Sequence, residues 1–148
     1  MKQKISTLIL SCIIALLCAE SAFASDKIIV NISDLICEDI ANMEPRELSC
    51  VTRATEQINA DIPSGVIIKN ATPYSLEADN IVTMNLTFSP SSANMDFGLI
   101  APDKKFYYFK GADGLFRKNI QVNETGTYYL AIRNNSKNTV SVLGFIYY

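Results

Sequence analysis

The chain contains no histidine, and this excludes the commonest ways in which a protein performs acid–base chemistry. Histidine is the usual general base near neutral pH and the usual protein ligand for transition metals. Its absence also excludes the Ser–His and Cys–His nucleophile pairs. The sequence motifs of phosphate-binding loops, nucleophile elbows and zinc proteases are missing as well. Any catalysis would therefore depend on carboxylates.

Four carboxylates are candidates for such chemistry, because a glycosidase needs only two, held about 5–9 Å apart. They are Asp96, Asp103, Asp113 and Glu124. The last three lie in predicted turns, where an aspartate or its neighbours commonly bond the local backbone. Asp96 lies within a predicted strand, and we expect its side chain to face solvent, opposite Met95 and Phe97. The same carboxylates could hold calcium, but the D-x-D-x-D-G spacing is absent, so we predict no cofactor and keep calcium as the alternative.

Tyrosines are the other candidate functional residues, because a tyrosine ring can stack on a sugar or anchor a partner protein. We predict a binding surface made of Tyr107, Tyr129 and Arg133 on an outward face, since these residues alternate with Tyr108, Tyr128 and Ile132. Ordinary packing within a sheet is the alternative interpretation. The chain has no tryptophan, which excludes an indole platform for sugars.

These residues lie on a chain in which apolar and polar residues alternate from Gln57 onward. In residues 81–89, for example, every second side chain is Val, Met, Leu or Phe, which is typical of a half-buried strand. Roughly eight such runs are separated by turn signals at about ten-residue spacing. The pattern predicts an all-β domain over residues 56–148, an antiparallel β-sandwich or jelly roll of about eight strands.

Residues 1–24 are predicted to be a secretion signal. Lys2 and Lys4 precede an apolar stretch at residues 5–19, and Ala22–Ala24 is a small-residue cleavage site. The apolar stretch is shorter than the ~20 residues that span a membrane, so we expect no membrane span after cleavage. An uncleaved anchor and a lipid anchor at Cys12 are the alternatives. The protein is thus expected to be extracellular or at the cell surface.

Residues 25–55 form a more charged segment. Residues 27–32 could be a short strand, and a helix near residues 45–52 is one interpretation, because Pro45 suits a first helical turn. Cys37 and Cys50 remain after signal cleavage, and export makes a disulfide between them the default expectation. Two free thiols are the alternative.

The charge of the chain excludes some partners. Its formal net charge is −2, and the predicted signal contributes two lysines and one glutamate, so the mature chain is at about −3. Lysine and arginine do not cluster, and both nucleic acid and anionic membranes require clustered basic residues.

The C-terminal half resembles a known family. The phrases MDFGLIAPDKKFYYF (95–109) and GTYYLAIRNNSKNTVSVLGFIYY (126–148) are similar to the bacterial pre-peptidase C-terminal (PPC) domain, a secreted β-sandwich, and to short exported proteins of Gram-positive bacteria. Residues 102–104 stand at the family's "PDG" turn, with Lys104 in place of glycine, and residues 126–130 at its "GTYYL" motif. The resemblance implies a non-catalytic module linked to the export, maturation or substrate binding of enzymes.

Together, these observations predict a secreted, monomeric, non-catalytic binding or accessory module whose ligand is an extracellular polysaccharide or protein. Two alternatives remain. One is a carboxylate-driven secreted glycan hydrolase, and the other is a structural or adhesive surface protein.

Overall fold

The structure, a computed structural model, describes residues 28–48 and 55–148. The predicted signal at residues 1–24 lies outside these ranges. Within them the chain forms twelve β-strands and one turn of 3-10 helix, Ile32–Asp34. In chain order the strands are β1 (Ile29–Asn31), β2 (Ile36–Asp39), β3 (Arg46–Leu48), β4 (Thr55–Ile62), β5 (Ile67–Asn70), β6 (Tyr74–Leu76), β7 (Ile81–Ser89), β8 (Met95–Ile100), β9 (Lys105–Lys110), β10 (Leu115–Gln121), β11 (Gly126–Asn134) and β12 (Val140–Tyr147). The prediction of an all-β fold is confirmed. No helix in these ranges has the length and apolar character needed to cross a membrane.

The strands form two mixed sheets that pack as a sandwich. The five-stranded sheet has the order β1-β10-β7-β12-β4. The seven-stranded sheet has the order β2-β9-β8-β11-β5-β3, and β6 pairs with β11. Most neighbours are antiparallel, as predicted, but β1 pairs with β10 and β3 pairs with β5 in parallel.

The main core lies between the two sheets and follows the predicted alternation. On β7, the four apolar side chains from Val82 to Phe88 are buried, and β11 buries Tyr128, Leu130 and Ile132 on its core face. β8 is buried along its whole length, on both faces. A second, smaller core therefore exists on the outer side of the seven-stranded sheet, where Ile40 and Met43 pack over Phe106 and Tyr108.

The N-terminal segment contributes three edge strands to this sandwich. The predicted strand at residues 27–32 is present as β1, but the interpretation of residues 45–52 as a helix is wrong at Arg46–Leu48. These residues pair in parallel with β5, and Leu48 packs against the main core. Tertiary pairing thus overrides a weak local helix signal. The rest of that predicted helix, from residue 49, lies outside the described residues.

The predicted disulfide involves one residue outside the described ranges, Cys50. Cys37 lies on β2, opposite Tyr107 of β9, and its exposed thiol has no disulfide partner within residues 28–48 and 55–148. The Cys37–Cys50 bridge stays a prediction.

Two turns contain residues with positive φ angles. The turn at residues 112–114 carries the chain from one sheet to the other, with positive φ angles of 57° at Asp113 and 73° at Gly114. Lys104 has a φ of 66°, so this lysine adopts the left-handed conformation at the place where PPC-like sequences have glycine.

Candidate functional site

The outer face of the five-stranded sheet carries a row of exposed apolar side chains. Leu143, Phe145 and Tyr147 alternate along β12 and are 49%, 43% and 42% exposed. Successive members are about 7 Å apart, because two residues of a strand span that length. We call these three residues the β12 row. β12 lies between β7 and β4, so both sides of the row are bordered by neighbouring strands.

Hydroxyl and amide side chains border the β12 row. The strand register places Phe145 between Asn85 and Gln57, which are its direct cross-strand partners on β7 and β4. The corresponding partners are Thr87 and Asn59 for Leu143, and Thr83 and Thr55 for Tyr147. Cross-strand partners lie on the same face of a sheet with their Cβ atoms about 5 Å apart. Each apolar member therefore has a polar group on either side.

Three of the bordering amides are free to bond a ligand. In the described part of the chain, the side chains of Gln57, Asn59 and Asn85 make no hydrogen bond to protein, whereas the Thr83 hydroxyl donates to Asn119 Oδ1 at 2.9 Å. An amide side chain has two N–H donors and an oxygen that accepts twice. The face thus presents, next to an apolar surface, donors and acceptors that no other group of the described chain occupies.

This face is nearly uncharged. Among the outward positions of β4, β7 and β12, only Asp61 carries a charge, and its carboxylate accepts a hydrogen bond from the Ser141 hydroxyl. The next strand outward, β10, adds Arg117. A charged partner would therefore find little electrostatic complementarity at the β12 row.

Gly144 fixes the position of the row against β7. Its φ of 148° is one that side-chain-bearing residues rarely adopt, and a Cβ there would lie 2.1 Å from the backbone oxygen of Asn85. The glycine thus allows β12 to approach β7 closely between Leu143 and Phe145. The sequence held a signal for the row, since both faces of residues 140–147 are apolar while the core between the two sheets can bury only one of them.

The residues predicted to form a binding surface do not share one face. Tyr129 and Arg133 lie on the outer face of the seven-stranded sheet, as predicted. Tyr107 lies on the opposite face, because its register partner Leu99 points into the main core. The expected alternation is inverted on β9, where Tyr108 is the residue that faces outward. The three residues therefore do not form one surface: Tyr129 and Arg133 lie on the outer face of the sheet, and Tyr107 lies on its core side.

Arg133 is held in a network that explains its orientation. Its guanidinium contacts the Glu38 carboxylate at 2.7 Å and Asp96 Oδ2 at 2.8 and 2.9 Å. The guanidinium carbon also lies 4.9 Å from the ring centroid of Tyr108, within cation–π range. Burial acts to lower the pKa of Arg133, but the hydrogen bonds to Glu38 and Asp96 outweigh this effect and raise the pKa above its ordinary value. Its charge is already compensated by protein.

Asp96 was expected to face solvent, and this expectation is wrong. The side chain points away from Met95 and Phe97 but is only 1% exposed, and the segment that follows β2 packs on the same outer face of the sheet. Oδ2 accepts from Arg133 and from the Asn135 amide, at 2.6 Å. Oδ1 is buried and has no hydrogen-bond partner among the described residues.

Tyr107 lies at a different place, at one end of the sandwich. Its hydroxyl donates to Asp103 Oδ2 at 2.7 Å. This hydrogen bond, together with burial and the neighbouring Cys37 thiol, raises the pKa of Tyr107 above its ordinary value. Tyr107 and Cys37 line a cleft of about 440 Å³ with Glu124.

The remaining candidate carboxylates lie in separate turns, as predicted. Asp103 follows β8, Asp113 follows β9 and Glu124 follows β10. Asp103 also accepts from the Lys105 backbone N–H at 3.0 Å, which is a local turn contact. Within the described ranges, no group of three or more His, Cys, Asp or Glu side chains is gathered in a way that could hold a metal ion.

Comparison with known proteins finds similarity among solved structures. No family model and no curated protein matches the chain. Among solved structures, the chain is similar to PliG of Aeromonas hydrophila, a periplasmic lysozyme inhibitor of g-type lysozyme. The TM-score is 0.46 and the sequence identity 12%, covering 70% of this chain and 96% of PliG. The resemblance to PPC domains stays a prediction.

Proposed function

We propose that this protein is an exported, non-catalytic binding module that holds a neutral polysaccharide on the outer face of its five-stranded sheet. The observation that supports this function is the β12 row, with bordering amides that bond no other group within the described residues. The polysaccharide would lie along β12, with its sugar rings over Phe145 and Tyr147.

The apolar part of the row suits the flat C–H faces of sugar rings. Aromatic side chains bury a large area at a small cost in conformational entropy, and tyrosine adds a hydroxyl at its edge. Three side chains at intervals of about 7 Å give a surface about 14 Å long. This length suits a chain of several sugars better than a single sugar.

The bordering amides suit the hydroxyl groups at the edges of those rings. A sugar hydroxyl both donates and accepts, and an amide side chain can serve it in either role. Gln57 and Asn85 are placed on opposite sides of Phe145, so a ring stacked there would have an amide at each edge.

A polysaccharide fits this face better than a protein partner does. Protein interfaces usually have a desolvated apolar centre, with arginine enriched there and a polar rim around it. The β12 row instead has amides and hydroxyls beside every apolar member, and almost no charge. These features favour a ligand that carries many uncharged hydroxyl groups.

The proposal is tested by screening the purified exported protein against an oligosaccharide array and against insoluble cellulose, chitin and peptidoglycan. We expect retention on at least one neutral glycan, and loss of that retention in the double variant Phe145→Ala/Tyr147→Ala. Ile36→Ala is the matched control, because Ile36 is similarly exposed but lies on the other sheet.

The proposal would be overturned if the protein bound none of the tested glycans. It would also be overturned if the double variant were retained on the glycan as strongly as the unaltered protein. The same incubations are analysed for released sugars. A product that disappears with Asp103→Asn or Glu124→Gln would establish the hydrolase alternative instead.

A further inference from the structure

We infer that a second site, on the opposite side of the sandwich from the β12 row, binds a small free carboxylate with an apolar chain, such as a medium-chain fatty-acid anion. The site is a cleft of about 280 Å³ between the segment that follows β2 and the outer face of the seven-stranded sheet. It is lined by Ile40, Ala41, Pro45, Lys69, Ile100, Lys104 and Tyr129. This inference does not rest on the proposed polysaccharide function.

The lining has two chemical parts. Ile40, Ala41, Pro45 and Ile100 contribute apolar side chains, and Tyr129 contributes its ring. Among the described residues that line the cleft, the ionisable groups besides that tyrosine are the two lysines, Lys69 and Lys104. A ligand that matches this lining has an apolar body and a negative charge at its end.

Neither cleft lysine is in direct contact with a carboxylate of the described chain. Neither forms an ion pair with the residues of 28–48 and 55–148, although Glu47 is the register partner of Lys69. The Lys69 ammonium lies 4.6 Å from the centroid of the Tyr129 ring, which also lines the cleft. The cleft thus has a cation held at an apolar wall, and this is the charge complementarity that an anionic head group requires.

The size of the cleft indicates a small ligand. A cavity of about 150 Å³ accommodates benzene, so about 280 Å³ accommodates roughly ten non-hydrogen atoms. A peptide segment would bring buried amide groups, and the apolar side chains of the lining offer them no partners. A free carboxylate with a short hydrocarbon chain leaves no such group unsatisfied.

The test compares three probes that share one hydrocarbon chain: octanoate, octanol and octylammonium. Binding to the full exported protein is measured by calorimetry and by NMR. We expect octanoate to bind at least tenfold more tightly than octylammonium and to shift the amide signals of Ile40, Lys104 and Tyr129. High salt should weaken this binding, because it screens the charge of the lysines. Lys69→Gln and Lys104→Asn should each reduce the octanoate affinity at least threefold, whereas Lys137→Gln, in a distant turn, should not.

Equal affinity for the three probes would overturn the inference, because it would show that the charge of the lysines has no part in binding. Octanoate signals that shift elsewhere in the protein, or no binding of octanoate at all, would overturn it as well. The NMR result on the unaltered protein decides the matter even if a lysine variant fails to fold. Glycan retention is measured on the same samples, so a failure of this site is distinguished from a failure of the β12 row.

Discussion

At the scale of single residues, the structure gives Arg133 a structural role that its sequence position does not reveal. The sequence marks Arg133 as an outward-facing cation at the end of a strand, which suggests contact with a ligand. In the folded chain its guanidinium joins Glu38 and Asp96, which come from strands far away in the sequence. A pairing of this kind depends on strand order, and strand order cannot be read from local alternation.

Removing the arginine should therefore destabilise the fold. We expect Arg133→Met to lower the free energy of unfolding by about 3 kcal/mol, the low end of the range for breaking a buried ion pair, since Glu38 is partly exposed. Urea unfolding measures the change. Arg117→Met is the control, because Arg117 is exposed and forms no ion pair with another described residue. A loss no larger than that of the control would show that the network does not stabilise the fold.

Asp96 illustrates the same limit of sequence reasoning. Its alternation with Met95 and Phe97 correctly predicts that its side chain points away from the main core. Its burial follows from partners that are distant in the sequence: Arg133 and Asn135 bond its carboxylate, and the residues after β2 pack on that face as part of the second core. Alternation gives the direction of a side chain but not what lies above it.

At the scale of elements, the longer strands were predictable and several of the short ones were not. β4, β7 and β12 have eight or nine residues, enough for a period of two to be visible. β2, β3 and β6 have only three or four residues, too few for a period of two to be visible, and the sequence around β3 suggested a helix instead. Alternation alone did not single out the β12 row, although the apolar residues on both faces of β12 exceed what one core can bury.

Gly144 provides a test of the close approach between β12 and β7. We expect Gly144→Ala to destabilise the protein by about 3 kcal/mol, because the added methyl group would collide with the Asn85 carbonyl at an unfavourable φ. Thermal unfolding gives the change. Gly65→Ala is a useful comparison, since Gly65 also has a positive φ but has no atom near the place of a Cβ. Its cost should be smaller, and an equal cost at both positions would refute the close approach of β12 to β7.

At the scale of the whole molecule, three tyrosines link stability to pH. The hydrogen bond to Asp103 raises the pKa of Tyr107, and burial raises the pKa values of Tyr128 and Tyr148. In the unfolded chain a tyrosine ionises near pH 10. Their stabilising contribution is therefore complete below about pH 10 and is lost above it, because the unfolded state releases its protons first.

We therefore expect the free energy of unfolding to fall steeply as the pH rises above about 10. Tyr107→Phe should reduce that slope, since phenylalanine has no proton to release. Denaturant unfolding at several pH values measures this slope, and the free energy of unfolding near pH 8 serves as the reference for each variant. A slope that is the same with and without the Tyr107 hydroxyl would contradict this account.

The sequence predicted the architecture of the molecule better than its candidate site. Alternation, turn residues and the lack of helical periodicity were sufficient for an all-β sandwich. The site required knowledge of which strand lies beside which, because Asn85 and Gln57 become neighbours of Phe145 only through the order β7-β12-β4. Signal cleavage, the Cys37–Cys50 disulfide and the monomeric state stay predictions.

The most direct test of the central claim is affinity electrophoresis through gels that contain the neutral polysaccharide retained in the screen. The account predicts that Phe145→Ala raises the dissociation constant about tenfold, because the stacking area is lost, and that Asn85→Ala and Gln57→Ala each raise it less. Ile36→Ala should migrate like the unaltered protein. If Phe145→Ala is retarded by the polysaccharide as strongly as the unaltered protein, the β12 row is not the binding site and the account is wrong.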